Sequence, residues 1–230
     1  MKKAIVFLAN GFEEMEATGT VDILRRGGID TKTVSITDDR KVIGAHNMEY
    51  TADATFTEID LSDADALILP GGMPGASNLN NSEPVKEVLL QQYREGRIVA
   101  AICAAPMVLG GLGLLKGRKA TCYPGFEPKL IGATVTGEAV EVDGNVVTGR
   151  GPGLVFNFGL AFHKKNSYTK AITLYQEALN LVNKTLKIDL KQKNLQEKDE
   201  QIKKLEDQNN TLLEKLNQER NKAKILEQEN

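Results

Sequence analysis

Cys103 closes the run Ile98-Val99-Ala100-Ala101-Ile102, and Pro106 stands three residues later in a stretch that reads as the first turn of a helix. Small and β-branched residues in such a run predict a buried strand, and proline is tolerated in a first helical turn, where N–H groups lack partners anyway. A side chain at that strand-to-helix turn is held at the carboxyl edge of a sheet, where open α/β folds place their ligands. Unpaired N–H groups and the positive end of the helix favour thiolate over thiol, which makes Cys103 a candidate nucleophile; the competing reading is a buried structural cysteine. Two other stretches could serve such a nucleophile. Glu13, Glu14 and Glu16 follow the turn Asn10-Gly11, and Gly71-Gly72 follow Leu69-Pro70. Glu16 is the acid/base candidate, and glycines at 71 and 72 let backbone N–H groups approach a developing oxyanion. The plainer account of the three acids is that they only complement a helix N-terminus. Cys122 reads as a strand residue or a resolving thiol. His46 and His163 lie outside any motif, so no imidazole is assured at the site. The sequence offers no metal-ligand cluster and no Gly-rich phosphate cradle, so neither metal nor cofactor is expected.

The elements that must carry these residues are legible in order. Ala4 to Ala9 is an apolar run of the kind found in central parallel strands. Phe12 to Arg26 reads as an amphipathic helix stopped by Gly27-Gly28, and Thr31 to Thr37 as a second strand. Lys41 to Ile59 is short, Thr-rich and β-like, a hairpin. Ala66 to Leu69 is another buried strand, Glu83 to Glu95 a helix, Lys119 to Tyr123 a strand, and Val140 to Val147 a hairpin with an Asp-Gly turn. Strands alternating with helices predict a parallel sheet covered on both faces, a flavodoxin-like three-layer α/β sandwich. In a doubly wound sheet the ends of these strands share one edge, which brings Glu16, Gly71-Gly72 and Cys103 together.

Composition divides the 230 residues. All 21 glycines and all 7 prolines lie at or before Gly159, and both cysteines lie in the same part. Up to Val155 there are 15 Lys+Arg and 20 Asp+Glu, and the remainder carries 14 and 11, so neither part is basic enough to suggest nucleic acid. No apolar run is long enough to span a membrane, Met1-Lys2-Lys3 leads directly into a strand, and two cysteines form no disulfide framework; a cytoplasmic, reducing setting is expected. The domains read as 1–158 for the α/β unit, 159–183 for a helical hairpin similar to a single tetratricopeptide pair, and 184–230 for a coiled coil or solvated helix. The hairpin rests on Gly159, Ala161, Phe162, Tyr168, Ala171, Tyr175 and Ala178, and one such repeat cannot bury its own face. The coiled coil rests on a heptad from Ile188 through Ile202, Leu205, Leu212 and Leu216 to Leu226, with Asn209 at a position that favours two strands. A helical partner through 188–226 is expected; a charged, disordered tail is the rival reading.

Gly11-Phe12-Glu13-Glu14-Met15-Glu16, Leu69-Pro70-Gly71-Gly72, Ala101-Ile102-Cys103-Ala104-Ala105-Pro106 and Gly149-Arg150-Gly151-Pro152-Gly153 together resemble, in order and spacing, the ThiJ/PfpI superfamily, and within it the branch of the Parkinson's-disease-associated protein deglycase. The resemblance covers about residues 1–162. It implies a nucleophilic, oxidation-sensitive Cys103, a protonated Glu16 bonded to its sulfur, an oxyanion site from the Gly72 and Ala104 N–H groups, a pocket that includes Gly71, Tyr123, Arg26 and Pro152, and a homodimer. Two departures matter. Protease-like members carry His directly after the Cys, and here Ala104 stands there, which argues against a Cys-His peptidase. Deglycase-branch members often supply a His where this chain has Tyr123.

Three functions follow as expectations. The first is a cysteine-dependent glyoxalase or deglycase, a hydrolase or lyase acting on small dicarbonyls such as methylglyoxal or their adducts. The second is an oxidative-stress sensor or chaperone working through oxidation of Cys103. The third is a non-catalytic sandwich displayed by a coiled coil.

Overall fold

The strands at the centre of the sheet are those whose sequences are apolar throughout. In the computed structural model, which describes residues 1 and 3–163 together with Lys198, Glu200, Lys203 and Lys204, β1 (Lys3–Leu8), β6 (Ala66–Leu69) and β7 (Ile98–Ile102) lie side by side with almost every side chain buried. Burial on both faces is what a parallel strand covered by helices requires, and it explains why these segments show no alternation of polar and apolar residues.

Around them the sheet has seven strands in the order β10 (Val140–Asp143), β11 (Val146–Gly149), β7, β6, β1, β2 (Asp30–Ser35), β5 (Ala54–Thr55). All neighbours pair in parallel except β10 with β11, the hairpin expected at the Asp143-Gly144 turn. β1 connects outward to β2, whereas β6 and β7 lie on its other side, so the direction of winding reverses between β1 and β6. A crevice opens at such a switch point beyond the carboxyl ends of the strands. The helices are α1 (Glu14–Arg26), α2 (Gly75–Asn81), α3 (Glu83–Arg94), α4 (Pro106–Gly111) and α5 (Val155–Leu160). α1 packs closely on α5: a side-chain carbon at Gly19 would lie 3.2 Å from Val155, and one at Gly159 would lie 2.8 Å from Ile23. The result is the flavodoxin-like α/β architecture expected from the alternation of elements.

Several local expectations are corrected. The β-like stretch from Lys41 is a hairpin of β3 (Lys41–Ile43) and β4 (Glu49–Thr51), but it then returns to the main sheet as β5. The strand expected over Lys119 to Tyr123 shrinks to β8 (Lys119–Ala120), which pairs with β9 (Thr134–Val135) in a separate small sheet; beyond it the Tyr123 N–H bonds to the Cys103 carbonyl instead of extending a ladder. α2 is an added element that the polar, Asn-rich stretch from Gly75 did not signal.

The chain separates into residues 1–169 and 170–230. Gly159 to Phe162 belong with the first unit, since Gly159 meets Ile23 and the Phe158 and Phe162 rings stand edge to face at 5.3 Å. The remainder of the helical-hairpin reading, the coiled-coil reading of 184–230 and the partner surface at 188–226 lie outside the described residues. The four described positions between 198 and 204 are helical and exposed.

Candidate active site

Three strand ends build the site, as the spacing predicted. After β7 the chain turns at Cys103 with φ at +63°, a left-handed conformation that a side chain with a Cβ adopts only when its surroundings enforce it. The turn is held from both sides: the Cys103 N–H donates to the Gly149 carbonyl at 2.9 Å, and the Cys103 carbonyl accepts the Tyr123 N–H at 2.8 Å. This is an elbow that presents the Cys103 side chain at the carboxyl edge of the sheet. Cys103 is buried, with 8% of its surface exposed.

Glu16 comes to the sulfur from the first turn of α1. Glu13 caps that helix, its Oε2 accepting the Glu16 N–H at 2.6 Å, while the Glu13 N–H donates to the Gly71 carbonyl at 2.9 Å. Glu16 is fully buried, and its Oε2 accepts the Gly71 N–H at 2.8 Å. Its carboxyl and the Cys103 thiol form the central pair of the site. The backbone N–H groups of Gly72 and Ala104 lower the same thiol.

Two glycines make this closeness feasible. A side-chain carbon at Gly71 would sit 2.7 Å from both the Cys103 Cβ and Glu16 Oε2. Gly72 has φ at +86°, and a side-chain carbon there would strike the Glu13 backbone nitrogen at 2.4 Å. Gly72→Ala is therefore expected to destabilise the protein by about 2 kcal/mol or more, measured by urea unfolding, because strain and collision add.

Burial governs the electrostatics. It raises the Glu16 carboxyl to about 7, against hydrogen bonds to Cys103 and Gly71 that lower it, and the neighbouring Glu13 charge adds to the rise. It also pushes the Cys103 thiol up to about 12, with the Glu16 charge in support and the Gly72 and Ala104 N–H groups opposed. Burial and the Glu16 charge oppose the depression expected from a helix terminus. α4 starts three residues after Cys103 and is only six residues long, so its dipole does not outweigh burial beside a carboxylate. The two groups titrate as a unit that releases a first proton near neutrality and holds the second to high pH.

The remaining predicted residues fall on both sides of the mark. Tyr123 is tied to Cys103 through its backbone, and its ring stands over Gly151, next to Pro152. Arg26 is not in the pocket. It ends α1 ten residues beyond Glu16, about 15 Å along a helix, and its exposed side chain donates to Asp22 at 2.7 Å. Cys122 is buried, and burial, then Glu127, push its thiol up to about 11, with Arg150 opposing. Cys103 is the more accessible of the two thiols, 8% exposed against 3%, so limiting iodoacetamide near pH 8 is expected to modify Cys103 and leave Cys122 unlabelled; peptide mapping that found the label first on Cys122 would reverse the assignment.

Sequence reasoning missed one group. Glu13, Glu14 and His46 bring potential metal-ligand atoms within 4.8 Å of one another. His46 is 32 positions from Glu14, so spacing along the chain carried no signal of this. The Glu14 carboxylate is already engaged by His46.

Comparison with known proteins agrees with this geometry. The DJ-1/PfpI family model matches residues 2–165. Protein DJ-1 homolog B of Arabidopsis thaliana is 42% identical over 161 residues, 69% of this chain and 37% of that protein. Deglycase PfpI of Pyrococcus furiosus is 37% identical over 164 residues, 70% of this chain and 97% of that protein. The crystal structure of the C103A mutant of a DJ-1 superfamily protein from Salmonella typhimurium has a TM-score of 0.67 at 38% identity, covering 70% of this chain and 88% of that one. The chain spans 37% and 41% of the lengths of the two Arabidopsis relatives it matches. A cysteine held at a left-handed elbow beside a buried glutamate thus sits inside a match that takes in the whole described α/β unit, and the chain belongs to the DJ-1/PfpI family.

Proposed function

We propose that this chain is a cysteine-dependent glyoxalase or deglycase acting on reactive dicarbonyls or their adducts. The observation that carries the reading is the pairing of Cys103 with Glu16 under two backbone N–H donors. In the reactive form the shared proton sits on Glu16 and the sulfur is anionic. The thiolate adds to the aldehyde carbon, the Gly72 and Ala104 N–H groups hold the developing oxyanion, and Glu16 delivers its proton to that oxygen. Glu16, now a carboxylate, takes the proton from the former aldehyde carbon and returns it to the adjacent carbon, while the hydroxyl proton passes to the adjacent oxygen; the carbonyl so formed is a thioester, which water hydrolyses to a hydroxy acid and free Cys103. Methylglyoxal plus water then balances as lactate. One relative carries the name deglycase, which supports this class of chemistry.

A second reading rests on the same pair. A protonated carboxyl beside the sulfur would hydrogen-bond a sulfinate and so stabilise oxidised Cys103, and one similar solved structure is of oxidized Toxoplasma gondii DJ-1. Lactate production from methylglyoxal by the purified full chain, with intact mass followed after peroxide, separates the two. Turnover by unoxidised protein supports the enzyme; absent turnover with a stoichiometric gain of about two oxygens on Cys103 supports the sensor.

Members of the family are commonly homodimers, and we take the same state for this chain. Among the described residues no helix is long and apolar enough to cross a membrane.

A further inference from the structure

At the end of the sheet away from Cys103 lies a cavity of about 260 Å³, between α3 and the segment that joins β5 to β6. Its residues fix which end it occupies. Leu67 is the second residue of β6 and Arg97 directly precedes β7, whereas Gly71 and Cys103 follow the same two strands. Leu67 and Gln92 form a buried floor, and Phe56, Ile59, Leu61 and Val88 form half-buried apolar walls. The Phe56 ring is held by stacking on the core residue Phe7, with centroids 5.8 Å apart.

Gln92 makes this more than a gap in packing. It is only 2% exposed, and burying an amide costs free energy unless its hydrogen bonds are made. Its Nε2 donates to the Ala64 carbonyl at 2.9 Å and, at 3.5 Å, to the Ile98 carbonyl. Among the described residues its Oε1 accepts no hydrogen bond. An acceptor therefore stands at the bottom of an apolar chamber. The ionic groups at the rim are already engaged. Arg97 Nη1 donates to the Ser62 and Ala64 carbonyls at 2.6 and 2.8 Å, and its Nη2 pairs with Glu95. Asp60 Oδ1 accepts the Ser62 N–H at 2.8 Å, and Asp60 itself is exposed to water. Floor and walls carry no charge, so an ion inside would face only an amide and hydrocarbon, and a neutral guest is favoured.

We propose that this cavity is a binding site, separate from the Cys103 site, for a small neutral aromatic compound that carries one N–H or O–H donor. The ring lies against Phe56 and the aliphatic walls, and the donor bonds to Gln92 Oε1. An apolar cavity of about 150 Å³ holds benzene, so this one suits a fused two-ring compound such as indole.

The site owes nothing to the chemistry at Cys103, and its test needs no substrate. Indole is the probe. The chain has no tryptophan, so a shift of indole emission to shorter wavelength reports binding without background. Indole and 1-methylindole, which has the same rings and no donor, are titrated against the full chain with Cys103 alkylated, which keeps the probes from the other pocket. Indole should saturate at about one per chain and bind about tenfold more tightly than 1-methylindole, the scale of a hydrogen bond to an otherwise unpaired buried acceptor. Gln92→Leu keeps the floor filled and leaves the Ala64 carbonyl bonded to Arg97, so it should fold, and in it that preference should vanish. Val88→Phe narrows the chamber with Gln92 in place and should weaken both probes by about tenfold or more. Equal affinity of wild type for the two probes overturns the proposal, as does a preference that survives Gln92→Leu. Binding that Val88→Phe leaves unchanged, or that does not saturate, means adsorption elsewhere and overturns it too.

Discussion

Cys103→Ala is expected to lower conversion of methylglyoxal to lactate by about 10³-fold or more, the scale on which covalent catalysis fails when its nucleophile is removed. The reason is local. Glu16 is buried and can move a proton, and two N–H groups can hold an oxyanion, but with no sulfur there is no bond to the aldehyde carbon and nothing for them to stabilise. Cys122 cannot substitute, because it is buried at another turn and lacks a carboxyl partner of the Glu16 kind. The variant should still fold, since alanine fills most of the space at a site with little exposed surface. Lactate assay and far-ultraviolet circular dichroism on the same preparation check both parts. A variant that kept a tenth or more of wild-type turnover would rule out Cys103 as nucleophile. Loss of the peroxide-induced mass gain in the same variant would place oxidation at this sulfur as well.

The second large effect is a trade between activity and stability at Glu16. Its carboxyl is raised from the ordinary 4.5 to about 7 in the folded protein. The sign follows from proton binding. Below pH 4.5 both states are protonated and the site costs nothing. Between 4.5 and 7 the unfolded chain ionises while the folded one holds its proton, so stability falls as pH rises and levels off above 7. A difference of this size corresponds to about 3 kcal/mol at pH 8. Glu16→Gln removes the ionisation, can still accept the Gly71 N–H, and keeps an N–H donor for the sulfur. It should therefore unfold at higher urea than wild type at pH 8, with the advantage vanishing near pH 4, while turnover falls about 10²-fold or more for want of a proton shuttle. Equal stability of the two proteins across that range would show that Glu16 is ionised as easily as an exposed carboxylate, and the proton-sharing account of the site would fail with it.

What the sequence by itself determined is what depends on neighbours along the chain. Unbroken apolar runs at Ala4–Ala9, Ala66–Leu69 and Ile98–Ile102 could only be strands buried on both faces, so the parallel sheet was legible, and with it the edge shared by Glu16, Gly71-Gly72 and Cys103. Glycine at 71 and 72 was legible as close approach for the same kind of reason, since a missing side chain is visible in the sequence. The tertiary structure decided everything that depends on distance through space. It put Arg26 at the far end of a helix whose first turn holds Glu16, because ten helical residues span about 15 Å whatever their types. It pushed the Cys103 thiol up where a helix terminus alone would pull it down, because burial and a facing carboxylate are properties of packing, and α4 proved too short and too late to compete. It set Cys103 at positive φ, which no residue type announces, by hydrogen bonds to Gly149 and Tyr123. It brought His46 onto Glu14 across 32 residues of chain, supplying beside the site an imidazole that the linear motifs lacked, because hairpin and helix meet only after the sheet has folded.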